Sequence, residues 1–406
     1  MDNIFSMIHY LIGRARIKYT ILDEIFHSVY IPKENHLVFH VDASSILYRL
    51  YREKDLDTIE NVPYEVAVKD LVVSFLNVIG HYRRYFVTRL GMSNSIMIYF
   101  NRIQPIYQSM IFGDYRKSWY NLLKGKNAAF TGINQLVEDA MTFIGGLVPY
   151  FDGIYMMSSD GVDDYTAMKH VMKSNKYKDC YHLIFSRNLL TTQLIDPNCS
   201  VLYNKRDDSY LISNGTVFKN GVLKGRKTGA SENLCAQNLP FVWCLGGCSD
   251  IDLKPSKFAN GIADAVKLIN PMADNGFFSG SVSIQSFLKE FSKYTKKGSA
   301  AELKLLPENL INRYRILNLD LCEAAMTDAQ KINLWKNHID LYDQTGLEDI
   351  NNKLADIGAS EQLLDISNLN MSEPYWSDRF DSGTTWGSMG EEEYMNGFGG
   401  FFNYSI

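Results

Sequence analysis

Five aspartates lie at positions where their carboxylates could share a metal ion: Asp42, Asp160, Asp163, Asp164 and Asp250. The first follows an apolar run at 37–41, three fall in SSDGVDDYTAM at 158–168, and the last lies in GGCSDID at 246–252. Clustered carboxylates can hold one or two divalent ions, which stabilise the attacking water and the leaving oxygen when a phosphodiester is cleaved. The candidate chemistry is therefore metal-assisted phosphodiester cleavage, with Mg²⁺ or Mn²⁺. The alternative for Asp42, Asp163 and Asp164 is a role in helix capping and first helical turns.

The elements that would position these acids alternate between apolar strands and periodic helices, which predicts a parallel α/β sheet. We expect strands at 37–41, 95–100, 153–157, 182–185, 200–203 and 210–212, and helices at 64–85, 133–144 and 164–172. Sites in open parallel sheets form at the carboxyl ends of the strands. Asp42, Asn101, the acids of 160–164 and Asn188 follow those ends, so we expect them to meet at one edge.

After residue 255 the periodicity is helical, with helices expected at 261–269, 284–294, 310–321, 327–342 and 347–364. The sequence thus predicts four regions. Residues 1–36 form an N-terminal helical extension, 37–255 an α/β core and 256–370 a helical region. Residues 371–406, rich in glycine, serine, acids and aromatics, form a flexible tail.

Composition limits the class of protein. The chain has 406 residues, a net charge of −5 and six scattered cysteines without a CxxC pair. The tail carries the excess acid, so any affinity for nucleic acid must come from local basic patches on a neutral body. The cysteines indicate free thiols in a reducing compartment. No apolar run approaches the ~20 residues that span a bilayer, and the N-terminus lacks a secretory pattern. We expect no membrane partner and a cytoplasmic location, in the infected host if the protein is viral.

Several segments occur in an order that resembles the 5′-nuclease (flap-endonuclease, PIN-like) family, in particular its phage RNase H/5′-exonuclease branch. HVDASSILYRLY at 40–51 resembles the first strand, and IYFNRIQPIYQSMIFGDYRKSWY at 98–120 the second. SSDGVDDYTAM resembles the acidic helix start, LIFSRNLLTTQL at 183–194 the third acidic segment, and GGCSDID the last. The resemblance runs from about 37 to 321. It implies a PIN-like fold with a parallel central sheet and a helical C-terminal half.

The resemblance also implies which acids remain and which are missing. Asp42, Asp163, Asp164 and Asp250 match metal-binding or catalytic acids of the family, and Asp160 could reach in to replace a lost one. The positions where further acids are expected hold other residues: Asn101, Gly161, Asn188, Leu190 and Gly247. Because these losses remove much of the charge that holds the ions, we expect impaired catalysis.

Nucleic-acid contacts follow from the same resemblance. Tyr115, Arg116 and Lys117 match residues that approach phosphate, and Gly261 matches the helix–loop–helix turn that grips duplex backbone. Arg226 and Lys227 form a basic loop that we expect near the substrate backbone.

The tail resembles a sliding-clamp peptide, with Phe398, Phe401 and Phe402 as the expected anchors. The tail would then bind a sliding clamp or another replication protein. The alternatives are a tail that packs on its own body or crosses the basic groove and mimics DNA, and a tail without a specific role.

Three hypotheses follow. The first is a nucleic-acid-binding protein derived from a 5′–3′ exonuclease or flap endonuclease, impaired in catalysis and acting in phage-type DNA replication on duplex, flap or RNA/DNA junctions. The second is an active Mg²⁺-dependent nuclease, RNase H-like, with a rebuilt metal site. The third is a scaffold that works through its C-terminal tail.

Overall fold

The computed structural model describes residues 36–44, 46–47, 50, 63–88, 90–100, 103–118, 128–204, 209–212, 230–295, 307–336, 338 and 369–370. The predicted 1–36 extension, apart from residue 36, the helix at 347–364 and the tail at 371–406 lie outside these residues.

A six-stranded sheet forms the centre of the fold, in the order β3-β2-β1-β4-β5-β6. Its strands are β1 (Leu37–Asp42), β2 (Asn94–Tyr99), β3 (Ile154–Met156), β4 (Tyr181–Ser186), β5 (Cys199–Asn204) and β6 (Ser209–Ile212). The predicted parallel sheet is confirmed for β1 to β5. β6 instead pairs antiparallel with β5. The connection at 205–208 is too short for a parallel crossover, which needs about a dozen residues.

Helices cover both faces of the sheet. They are α1 (Tyr64–Thr88), α2 (Ile106–Ile111), α3 (Ala128–Leu147), α4 (Asp164–Lys173), α5 (Leu239–Gly246), α6 (Ile262–Asp274), α7 (Ile284–Tyr294), α8 (Pro307–Leu317), α9 (Leu319–Ala324) and α10 (Asp328–Trp335). Alternate strand residues point to opposite faces, which separates two apolar clusters. Phe39 and Ile98 pack with α1 and α3, whereas Val38 and Met97 belong to the cluster that includes α4 to α10.

The prediction of a single helix at 310–321 is wrong, because the helix ends before Asn318 and a second one, α9, begins after it. Asn318 adopts an extended conformation (φ −84°, ψ 108°), and its side chain accepts a hydrogen bond from the backbone N–H of Leu321. This is the N-cap arrangement that asparagine favours. The expected helices at 64–85 and 133–144 are present and longer, and that at 284–294 has identical bounds. The helix expected at 261–269 begins one residue later and ends later, as α6. Of the helix expected at 327–342, the described part is α10.

Hydrogen bonds link His40 on β1 and His182 on β4 into a chain at the middle of the sheet. His182 Nε2 lies 3.0 Å from the carbonyl oxygen of Tyr177, so it must donate, and Nδ1 of the neutral ring is then an acceptor. His40 Nε2 donates to that Nδ1 at 2.9 Å, and the Tyr99 hydroxyl donates to His40 Nδ1 at 2.8 Å. We call these four residues the histidine chain.

Burial keeps both rings of the histidine chain neutral. It lowers the pKa of His182 to about 4 and that of His40 well below its usual range, and the neighbouring His182 adds to the effect on His40.

The helices in the described part of the chain include none with the length and apolar character of a membrane-spanning segment.

Candidate functional site

The carboxyl ends of β1 and β4 meet beside Asp42, as expected for neighbouring parallel strands. The Ser186 hydroxyl donates to Asp42 Oδ2 at 2.9 Å, and the backbone N–H of Asn188 donates to the same hydroxyl at 3.0 Å. Asp42 is only 3 % exposed. Its carboxylate is therefore part of a hydrogen-bonded corner that joins the two central strands.

Asp163 and Asp164 begin α4 at the same edge of the sheet. Asp163 is the N-cap and accepts from the backbone N–H of Tyr165 at 3.3 Å, while Asp164 lies in the first turn. Both positions favour carboxylates because the N-terminus of a helix carries partial positive charge. Asp163 is fully buried and Asp164 nearly so. A buried carboxylate needs a partner charge or several donors.

Tyr115 and Arg116 supply those partners to Asp163. The Tyr115 hydroxyl donates to Asp163 Oδ2 at 2.5 Å, and the Arg116 guanidinium lies 3.5 Å from Asp163 Oδ1. The guanidinium also lies over the Tyr165 ring, 5.3 Å from its centroid. We call the contact between Arg116 and Asp163 the edge pair; its two side chains are 8 % and 0 % exposed.

The Tyr165 side chain is buried beside the edge pair. Burial raises the pKa of Tyr165 well above its usual range; Arg116 opposes this, and Asp42, Asp163 and Asp164 add to it. The charges of all three acids and of Arg116 therefore act on the Tyr165 phenol. Nothing in the motif pattern marks Tyr165, because a tyrosine after an N-cap is usually part of the core.

The loop that carries Asp250 closes the same edge. Asp250 Oδ2 accepts from the backbone N–H of Leu189 at 2.7 Å. Asp252 accepts from the backbone N–H and the hydroxyl of Ser118, both at 2.7 Å. The backbone N–H of Arg116 donates to the Ile251 carbonyl at 3.2 Å. These bonds tie the segment 115–118 to the loop 249–252.

Arg116 adopts a left-handed backbone conformation, with φ 49°. Such a conformation costs a non-glycine residue about 1–2 kcal/mol. It persists because the backbone N–H and the side chain of Arg116 are both held, the first by Ile251 and the second by Asp163.

Two of the missing acids fall at glycines whose positive φ is rarely adopted by L side chains, and at Gly247 neighbouring backbone also leaves no room for a side chain. Gly161 has φ 72°, and a Cβ there would lie 2.6 Å from Ile106 Cδ1. Gly247 has φ 78°, and its Cβ would lie 2.6 Å from the Leu253 carbonyl oxygen and from the Pro255 nitrogen. These glycines are conformational requirements of this chain, so an acid cannot simply be restored at either position.

Two more missing acids are replaced by residues that serve the fold. Leu190 is fully buried in the apolar cluster below the edge. The Asn188 side chain caps the 3₁₀ turn Leu189–Leu194 by accepting from the backbone N–H of Leu190 at 2.8 Å. Asn101, the fifth position, lies outside the described residues.

The remaining carboxylates do not fit a divalent metal centre of the kind that the sequence resemblance implies. Asp163 already holds a phenol and a guanidinium, and a metal ion would have to displace them. Across the described parts of the chain, no three His, Cys, Asp or Glu residues converge closely enough to hold a metal ion. Asp160, expected as a replacement ligand, is exposed.

The predicted nucleic-acid residues divide between the interior and the surface. Tyr115 and Arg116 are buried against Asp163, which differs from the phosphate-facing position expected for them. Lys117 is 60 % exposed and pairs with Asp114 at 2.7 Å. Gly261 precedes α6 at the end of the loop from α5, as expected for a helix–loop–helix turn. Five further predicted contact residues lie outside the described residues: Arg226, Lys227, Phe398, Phe401 and Phe402.

Lysines surround the helix–loop–helix turn. Lys254 and Lys257 are exposed in the loop before Gly261, and Lys267 on α6 is 73 % exposed. Lys267 pairs with Asp264 at 4.0 Å, so its charge is partly balanced, and Lys254 and Lys257 add positive charge in the loop.

The fold is similar to solved structures of bacteriophage T5 nucleases. One is a flap endonuclease variant described as a pseudo-enzyme–product complex with DNA and metal ions. It has a TM-score of 0.50 and 9 % identity, and the match covers 80 % of this chain and 100 % of that one. Another is the T5 5′-exonuclease with bound zinc, with a TM-score of 0.50, 8 % identity and coverages of 79 % and 99 %. No family model and no curated protein matches the sequence. The chain has a 5′-nuclease fold.

Proposed function

We propose that this protein binds DNA through a 5′-nuclease fold in which metal-dependent cleavage is impaired, and that it acts in phage-type replication. The observation that carries this proposal is the edge pair. Asp163, a carboxylate on which metal binding would depend, is fully buried and bound by Arg116 and Tyr115.

The charge balance at the edge supports impaired catalysis. A two-ion centre needs several negative ligands, because two divalent ions must be neutralised and held about 4 Å apart. Gly161, Leu190 and Gly247 supply no ligand, and Arg116 adds a positive charge that repels cations. Losing preorganised charge at such a centre lowers the rate by orders of magnitude.

The surface around Gly261 supports DNA binding. Affinity for DNA comes mainly from lysine and arginine contacts with phosphates, which release counterions. Lys254, Lys257 and Lys267 place such charges beside the turn, and Lys117 adds one next to the edge pair. A T5 nuclease of the same fold has been solved with DNA.

Fluorescence anisotropy with a labelled 5′-flap duplex over a range of salt concentrations tests this proposal. We expect the logarithm of the association constant to fall linearly with the logarithm of salt concentration, and Lys257→Ala to weaken binding by roughly threefold to tenfold. Lys178→Ala is the matched control, because this exposed lysine lies just before β4, at the opposite edge of the sheet.

If Lys257→Ala and Lys178→Ala bind DNA with equal affinity, the helix–loop–helix turn is not part of the DNA interface. The absence of salt-sensitive binding to flap, nicked and junction substrates alike would contradict DNA binding as the function.

A further inference from the structure

The guanidinium of Arg116 is a buried cation set among carboxylates. It lies 3.5 Å from Asp163 Oδ1 and over the Tyr165 ring. Positive charge is thus already present beside the buried carboxylate of Asp163, at the start of α4.

Neighbouring contacts fix the guanidinium in this position. The Arg116 backbone donates to Ile251, the Tyr115 hydroxyl donates to Asp163, and Ser118 donates twice to Asp252. The segment 115–118 is therefore held on both sides of the edge, by α4 and by the loop 249–252. Arg116 cannot leave Asp163 without disturbing this segment.

We propose that Arg116 is a built-in replacement for a divalent cation, which neutralises the carboxylate edge from within the chain. The edge then folds without metal and excludes it, while the acids remain because each has a partner in the fold. The inference rests on the proposed function and extends it by giving the cause of the impairment. A guanidinium carries one charge and holds no bound water that it could activate, in contrast to a divalent ion.

Metal-dependent rescue tests this replacement. In Arg116→Met the buried Asp163 loses its counter-charge, and we expect the melting temperature to fall by roughly 10 °C. Millimolar Mn²⁺ should restore at least half of that loss. The wild type should gain almost nothing from Mn²⁺, and neither should Lys117→Met, the matched control in which the adjacent exposed lysine is removed.

A second measurement covers the case in which Arg116→Met does not fold. Electron paramagnetic resonance of Mn²⁺ counts the ions bound by the wild type and by Asp163→Asn. We expect no saturable site in the wild type.

Two results would overturn the replacement: a wild-type Mn²⁺ site that is lost in Asp163→Asn, or a folded Arg116→Met that Mn²⁺ does not stabilise. Neither result requires DNA or cleavage. A wild-type Mn²⁺ site without cleavage would therefore refute this inference and leave the proposed function standing.

Discussion

Two groups of buried polar side chains, the histidine chain on the central strands and the edge pair at the start of α4, meet the cost of burial in opposite ways. The histidine chain carries no charge, and each nitrogen or hydroxyl is either a donor or an acceptor along one direction. The edge pair carries full charges, and Arg116 balances Asp163. One group is stabilised by hydrogen-bond direction and the other by charge balance, so different changes should disrupt them.

The histidine chain and the edge pair also differ in what they indicate about function. Hydrogen-bonded neutral groups in the middle of a sheet are an ordinary means of satisfying buried polar atoms. A buried ion pair is weak evidence for stability, because a hydrophobic replacement is often as good. The charged pair lies at the edge where the resemblance places a metal centre, and it is the observation on which the proposed impairment of cleavage rests.

The largest effect should come from restoring an acid at Leu190. This side chain is fully buried in the apolar cluster, so Leu190→Asp buries an unpaired charge and should cost about 5 kcal/mol or more of unfolding free energy. Asn188→Asp is the matched control, because its carboxylate can still accept from the Leu190 N–H, and it should cost about 1 kcal/mol. Urea denaturation measures both. Equal costs would mean that Leu190 still lies in a polar site.

Breaking the edge pair should have the next largest effect. Asp163→Asn leaves the Arg116 guanidinium buried without its counter-charge, and we expect a loss of about 3–5 kcal/mol. Asp160→Asn, at an exposed aspartate three residues earlier, should change stability by less than about 0.5 kcal/mol. Chemical denaturation compares them, and a nearly neutral Asp163→Asn would show that the pair contributes little.

Acidification should disrupt the histidine chain. The pKa of His182 is about 4 in the fold against 6.5 as its ordinary value, so the unfolded chain binds a proton that the native chain does not. Stability is therefore fully present above about pH 6.5 and falls as the pH drops towards 4, by about 3 kcal/mol in total.

The variant His182→Gln keeps a donor for the Tyr177 carbonyl but does not titrate. Its unfolding free energy should fall less steeply between these pH values than that of the wild type. Parallel pH profiles for the two proteins would contradict the assignment of a neutral buried ring to His182.

The smallest effect compares two glycines with similar backbone angles. Gly247 and Gly276 have φ 78° and 75°, but only at Gly247 would a Cβ collide with neighbouring backbone. Gly276→Ala should cost about 1 kcal/mol for the left-handed conformation, and Gly247→Ala at least about 2 kcal/mol. Thermal melts resolve the difference. Equal costs would show that the loop moves aside and that an acid at Gly247 was sterically possible.

The sequence predicted the parts of the fold that depend on local pattern. Apolar runs that end in Asp42, Ser186 and the acids of 160–164 gave strands β1, β4 and β3, and parallel pairing then required their carboxyl ends to meet. The antiparallel β6 and the break at Asn318 were missed, because a short connection and a polar N-cap interrupt patterns that otherwise continue.

The site was predicted as a location but not as a set of contacts. Arg116 was expected near phosphate because of the family resemblance. Its burial depends on a left-handed backbone at 116 and on Asp163, which is remote in sequence. The filling of the Gly161 position by Ile106 likewise depends on the placement of α2, for which the sequence carries no signal.

The proposal of DNA binding with impaired cleavage is best tested by following cleavage and binding of one substrate in the same reaction. A 5′-labelled flap duplex is incubated with the full-length protein and Mg²⁺ or Mn²⁺, and the products are resolved on denaturing and native gels, with Asp42→Asn as the control. We expect a protein–DNA complex on the native gel and intact DNA on the denaturing gel with either metal. Metal-dependent product that disappears in Asp42→Asn would contradict the proposal and would make this chain a working nuclease.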